Sequence, residues 1–308
     1  MVAGTTSQRR NKGFLMKGFI FVCLFVGFFV FLAQTSSISL PVSLPTFFES
    51  KQSASALTGT EKELTVPLSV ADIKNTGFLE LVNRDTPVNP NNLVGGKPVG
   101  LRLVSSFPSI GYSTHDIELQ GADLEAVNKL FIDARAAGIK TLYVSSGYRT
   151  YATQKQIYNE AQNKSFVQPP NHSEHQSGLA VDIMASDVTL ETMASSREGR
   201  WLADNSWKYG LILRYARDKI DITGIAYEPW HFRYVGQPHA WYCQQNNLCL
   251  EEYLDFLRRE GGYRADYGGK TYTVVYVIPK DGKIYVPENK SFSVSSDNRG
   301  GYVVTIGG

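Results

Sequence analysis

The chain is expected to fold as an α+β protein: a small mixed or antiparallel sheet flanked by helices, with an N-terminal membrane anchor and a C-terminal β appendage. Strands and helices are interleaved without the regular βαβ alternation of a doubly wound sheet. The stretch 122–138 carries a helical apolar face, and beyond residue 261 the texture changes to alternating strands broken by turn signals. With 308 residues, 43% of them hydrophobic, the chain can bury one sizeable core and still carry appendages.

Arg9, Arg10, Lys12 and Lys17 precede the apolar run "GFIFVCLFVGFFVFLA" (18–33), and the first acidic residue is Glu49. The run is slightly short for ~30 Å of hydrocarbon at 1.5 Å per residue. Residues 14–16 extend it if Lys17 snorkels to the interface. The reading is a signal anchor over residues 1–33, with a cleaved signal peptide as the alternative. Its positive flank keeps the N-terminus in the cytoplasm and sends the rest of the chain outside. Residues 34–70 are rich in Ser and Thr with scattered Pro, as in a poorly ordered extracytoplasmic linker. A main domain over 71–260 and a β appendage over 261–308 complete the division.

Residues 78–104 alternate short apolar pieces with Pro, Asn and Gly, which suggests extended segments and turns. In the helix 122–138, Leu124, Val127, Leu130, Phe131 and Ala134 share one face and Gly138 ends it. A strand at 141–147, a helix at 150–162 and a strand at 179–185 follow. Then come a helix at 197–210 capped by Gly210, strands at 211–215 and 227–235, and a helix at 251–260.

The 31 basic and 29 acidic side chains leave a net charge of +2, which argues against nucleic acid as a partner. Cys23 lies in the apolar run. Cys243 and Cys249, in "WYCQQNNLCLEEY", fall on the outer side, where a disulfide survives. A bridge between them is the expectation, and two unpaired helix-packing thiols the alternative.

Chemistry concentrates in "HSEHQSGLAVD" (172–182). Asp182 interrupts an otherwise apolar strand, and a buried carboxylate is costly unless paired, hydrogen-bonded or bound to metal. A lone buried Asp is more often a hydrogen-bonding anchor; His175, seven positions upstream, moves the balance towards a metal. The second half is "EPWH" (228–231). Residues three apart on a strand face opposite sides, so Pro229 or a local bend must re-aim one of them. His231 then completes two imidazoles and one carboxylate, leaving the fourth position of a zinc ion for water. Glu228 would sit beside that water as its base.

"SEHQSGLAVD" (173–182) matches the pattern S-x-H-x-x-G-x-A-x-D, and "EPWHFRYVG" (228–236) the pattern E-x-W-H, of zinc D-Ala-D-Ala peptidases. "SSGYRTYATQKQIY" (145–158) resembles their third motif, and "WLADNSWKYGLILRY" and "TGIAYEPWHFRYVG" look close to the VanY carboxypeptidases. The likeness runs from about Phe78 to Glu260.

The resemblance implies His175, Asp182 and His231 as ligands of one Zn2+ and Glu228 as the base that also protonates the leaving amine. It implies that Arg149 stabilises the oxyanion or holds substrate, that Ser173 bonds the terminal carboxylate and that Gln154 orients the peptide. Blander readings stand beside these: Arg149 as a structural ion-pair partner, Ser173 as a turn cap and Trp230 as packing. His172 reads as a rim residue, His115 and His239 as surface or structural.

The function so implied is a membrane-anchored, extracytoplasmic zinc D,D-carboxypeptidase. It would remove the C-terminal D-Ala from peptidoglycan pentapeptide stems or lipid-linked precursors, contributing to glycopeptide resistance. An L,D-carboxypeptidase on tetrapeptide stems and a non-catalytic cell-wall-binding module are the alternatives. The second should lack Glu228 or a ligand, and all four residues are present.

Overall fold

The computed structural model describes residues 64–73 and 77–307. Strand β1 (Leu64–Ser69) comes first, followed by a small hairpin of β2 (Leu93–Val94) and β3 (Lys97–Pro98). Strands β4 (Leu101–Leu103) and β5 (Glu118–Gln120) pair and lead into helix α1 (Gly121–Ala136). All five residues of its expected apolar face are buried, in a core shared with the central sheet.

That sheet consists of β6 (Leu142–Ser146), β7 (Ala180–Ala185), β8 (Leu211–Leu213) and β9 (His231–Tyr234) in the order β6-β7-β9-β8. Every neighbouring pair is antiparallel. Helix α2 (Tyr151–Glu160) leaves the end of β6, with the Thr150 hydroxyl accepting from the Thr153 amide at 3.1 Å as its N-cap. Short α3 (Leu190–Met193) and α4 (Arg197–Asn205) follow β7. The helix expected over 197–210 tightens into a 3₁₀ turn at Ser206–Tyr209 before Gly210 stops it in a left-handed conformation. Helix α5 (Ile220–Thr223) precedes β9, whose expected span of 227–235 is cut at its start. Glu228–Trp230 form a turn closed by a His231 amide bond to the Glu228 carbonyl (3.2 Å), the bend needed to re-aim Glu228.

Helices α6 (His239–Asn246) and α7 (Leu250–Glu260) form a hairpin. The tail folds as β10 (Gly262–Tyr267), β11 (Lys270–Val277), β12 (Lys283–Pro287), β13 (Phe292–Ser296) and β14 (Tyr302–Gly307). Four of these make an antiparallel sheet, β10-β11-β14-β13. One side of it shares a core with α6 and α7, where Tyr253, Leu254 and Leu257 meet Tyr263, Val274 and Val303. On the other, Val304 and Ile306 pack against Ile284, Val286 and Leu68.

Two expectations are corrected. The linker was expected to reach residue 70, but β1 pairs antiparallel with β12 from Leu64↔Pro287 to Ser69↔Lys283, because Leu64 and Leu68 cover apolar residues of the tail. Cys243 and Cys249 are both free and buried. Cys243 belongs to the α6–α7 core, while the Cys249 thiol accepts the Glu252 amide as the N-cap of α7. Burial pushes the Cys249 thiol up to about 12 and Cys243 further. The expected anchor at 18–33 lies outside the described residues, among which no helix is long and apolar enough to cross a membrane.

Candidate metal centre and catalytic site

In the register of β7 with β9, Asp182 stands opposite His231; on the other side of β7 a register shift in β6 brings Ser146 opposite Asp182. Irregularities of this kind re-aim side chains beside sites. His175 arrives from a 3₁₀ turn, Glu174–Ser177, just before β7. Gly178 ends that turn with φ of 72°, and a Cβ there would fall 2.7 Å from Leu101 Cδ2, so the turn requires glycine.

The three side chains converge. His175 Nδ1 donates to the Gly147 carbonyl (2.7 Å), which turns Nε2 towards Asp182 Oδ2 at 3.3 Å. His231 Nδ1 lies 2.9 Å from Asp182 Oδ1, and the two imidazoles meet edge to face, 4.9 Å between centroids. The potential ligand atoms of His175, Asp182 and His231 lie within 4.8 Å of one another and all three residues are buried. Two imidazoles and one carboxylate suit zinc and related transition metals, so the donor set fits such an ion. Among the described residues no other group of His, Cys, Asp or Glu converges in this way.

Electrostatics hold the three in different states. Asp182 is kept well below the usual carboxylate range: burial opposes ionisation, but His175, His231 and Arg149 outweigh it. Burial and the Arg149 charge depress His175 to about 4. Burial also disfavours a charged His231, yet hydrogen bonds to Asp182 and Glu174 raise it to about 9.

Glu228 is buried in the same cavity, its Oε2 3.9 Å from His231 Nδ1, and its backbone amide donates to the Tyr215 carbonyl at 3.1 Å. Desolvation, helped by the Asp182 charge, pushes its carboxyl up to about 8. Arg149 donates to Asp182 Oδ2 (2.8 Å) and to Ser146 Oγ (3.0 Å), presenting its charge at the cavity. Ser173 lines the cavity too, and its hydroxyl makes no cap hydrogen bond. Gln154 Nε2 donates to the Gln168 carbonyl (2.7 Å), and its buried Oε1 has no partner among the described residues. Trp230 stacks on Phe166 at 6.5 Å, so it packs and also lines the cavity wall.

The cavity has a volume of about 180 Å³. A larger hollow of about 250 Å³ between α4, α6 and β8 contains none of these groups. His172 Nδ1 bonds the Asn83 carbonyl, and buried His239 bonds Tyr253 and Thr305.

Sequence reasoning missed the support behind His231. Glu174, Arg214 and Arg233 are fully buried. Arg214 Nε (2.7 Å) and Arg233 Nη1 (2.8 Å) both donate to Glu174 Oε1, and Glu174 Oε2 lies 3.4 Å from His231 Nε2. Arg214 also grips Glu251 of α7 with two bonds, of 2.8 and 2.7 Å. Burial works against an ionised Glu174, but the two arginines hold it far below the usual range. The signal was present: Arg214 near the end of "LILRY" and Arg233 in "HFRYV" are charges set in apolar and aromatic runs, as Asp182 is.

A sequence profile described as "VanY: D-alanyl-D-alanine carboxypeptidase" matches residues 116–237, a span that includes every residue of this cavity. The chain is 40% identical over 235 residues to a D-alanyl-D-alanine carboxypeptidase of Enterococcus faecium, covering 75% of each chain. It resembles the crystal structure of the vancomycin-resistance D,D-dipeptidase VanXYg in complex with a D-Ala-D-Ala phosphinate analog. That match has a TM-score of 0.67 and 31% identity, covering 79% of this chain and 98% of the other. It also resembles LdcB, an LD-carboxypeptidase, with a TM-score of 0.50 and 36% identity over 57% of this chain and 84% of that one.

Proposed function

The chain belongs to the VanY family of D-alanyl-D-alanine carboxypeptidases, and on that premise we propose that it is a zinc-dependent D,D-carboxypeptidase. It removes the terminal D-Ala from peptidoglycan pentapeptide stems or their precursors, and so takes away the D-Ala-D-Ala target of vancomycin-type antibiotics. The apolar run 18–33 supports an enzyme tethered to the membrane and working outside it.

The observation that carries this reading is the convergence of His175, Asp182 and His231 on one cavity with Glu228 beside them and not among them. At about 180 Å³ the cavity is smaller than the roughly 300–1,000 Å³ of pockets that bury drug-sized ligands, which suits the end of a peptide. When bound, zinc supplies Lewis acidity and lowers the pKa of water. Glu228 takes the proton of the attacking water and delivers it to the leaving amine. Positive charge gathered among the three ligands favours the ionised form that Glu228 needs for the first of these steps. Arg149 places a guanidinium where negative charge develops on the carbonyl oxygen, and Ser173 and Gln154 offer polar atoms to the peptide.

A second reading, an L,D-carboxypeptidase on tetrapeptide stems, draws support from the likeness to LdcB. Incubation with muramyl pentapeptide and tetrapeptide, followed by mass spectrometry with and without chelator, separates the two. Loss of one alanine from the pentapeptide alone, abolished by chelator, is the expected result. Cleavage of the tetrapeptide alone would replace the first reading with the second, and cleavage of neither would overturn both.

A further inference from the structure

The two imidazoles of the centre present opposite nitrogens to it. His175 spends Nδ1 on the Gly147 carbonyl and offers Nε2, whereas His231 offers Nδ1 and turns Nε2 to the rear, towards Glu174 Oε2 at 3.4 Å. A neutral imidazole carries one proton, and the hydrogen bond on one nitrogen decides which of the two keeps a free electron pair.

The Glu174 carboxylate is unusually well fixed for this purpose. Both arginines bond the same oxygen, Oε1, which leaves Oε2 to the ring. Arg233 is held in turn by the carbonyls of Phe78 (3.0 Å) and Glu80 (2.7 Å), and Arg214 by Glu251. Neither arginine side chain has any solvent exposure. Such an arrangement costs desolvation, and its return is a carboxylate that can neither rotate nor accept a proton at Oε1.

We propose that Glu174 is the positioning residue that sets the tautomer of His231: by accepting the Nε2 proton it leaves Nδ1 as the electron-pair donor to the metal. The proposal rests on the metal-centre reading above but not on the identity of the substrate. Carboxylates behind metal-bound histidines act in this way generally, and their loss costs roughly 10- to 100-fold in metal affinity.

The Glu174→Gln variant makes the test sharp. Its carbonyl can still accept both arginines, but its amide then points N–H at Nε2, which must become an acceptor. The ring proton is driven to Nδ1, where it blocks the metal. Zinc affinity, read by competition with a chromophoric chelator, should weaken roughly 10- to 100-fold. Glu251→Gln, which disturbs Arg214 without changing the partner of His231, should leave that affinity at wild type. Equal losses in both variants, or no loss in either, would overturn the assignment.

Nitrogen-15 NMR of histidine-labelled, zinc-loaded wild-type protein decides the matter even if Glu174→Gln fails to fold. A protonated Nε2 and a metal-bound Nδ1 on His231 are expected, and coordination through Nε2 would sink the proposal. Neither measurement uses turnover, so an error about the substrate would leave both results intact.

Discussion

Asp182 and His231 face each other across β7 and β9, and Asp182 Oδ1 lies 2.9 Å from the His231 nitrogen that points into the cavity. Without a metal, this contact keeps a proton on His231 up to a pH of about 9. The proton and the metal therefore compete for one nitrogen. Metal affinity should rise with pH by roughly tenfold per unit below that value, with about one proton released per ion bound. Isothermal titration in buffers of different ionisation enthalpy measures the release directly. The stability of the metal-free protein moves the other way. A histidine raised from 6.5 to about 9 contributes stability that is fully present below pH 6.5 and lost as pH rises through 9. Glu228, raised from 4.5 to about 8, contributes with the same sign, so chelator-treated protein should melt at a lower temperature at pH 9 than at pH 6.5.

Replacing Glu228 by Gln should remove the base while leaving the three ligands in place. A fall in kcat of about 10²- to 10⁴-fold is expected, with zinc stoichiometry unchanged. Retained turnover in a variant that still binds zinc would assign the base elsewhere.

Ser173 offers a clean separation of structure from function, because its hydroxyl caps nothing. Ser173→Ala should change stability by less than about 0.5 kcal/mol and raise KM with kcat little altered. An unchanged KM would remove Ser173 from the substrate contacts.

Arg214 lies between Glu174 and Glu251 with no solvent exposure. Arg214→Met leaves two buried carboxylates without their shared cation, a change expected to cost about 3–5 kcal/mol in urea unfolding. A loss below 1 kcal/mol would mean that water reaches these carboxylates.

Truncation after Glu260 tests whether the tail is separable. Tyr263, Val274 and Val303 complete the core of α6 and α7, and that core also takes in Ile212 of β8, a strand of the sheet that carries Asp182 and His231. The truncated protein should aggregate, or bind ANS and lose zinc affinity, and a soluble truncated enzyme with full affinity would establish an independent appendage.

The elements legible in the sequence were those with a single strong period or a sharp stop. The face of α1 from Leu124 to Ala134 and the halt at Gly210 are of this kind. Asp182 and the "EPWH" turn were legible because charge on an apolar strand has few bland explanations. The pairing of β1 with β12 was not, since a six-residue stretch interrupted by Pro67 carries no signal for a partner more than two hundred residues away. Nor was the free state of Cys243 and Cys249 legible: a capping role for the Cys249 thiol leaves no mark in spacing. The arginine pair behind Glu174 escaped because Arg214, directly after β8, and Arg233, within β9, are brought together only by the pairing of those strands.

The β1–β12 ribbon also decides how mechanical load enters the molecule. Tension on the backbone at Leu64 is borne first by the antiparallel pairing of β1 with β12, hence by the tail. Two apolar cores lie between that ribbon and the sheet carrying Asp182 and His231. A load applied at Leu64 therefore meets a peripheral strand pair of the tail before it reaches the residues around Asp182 and His231.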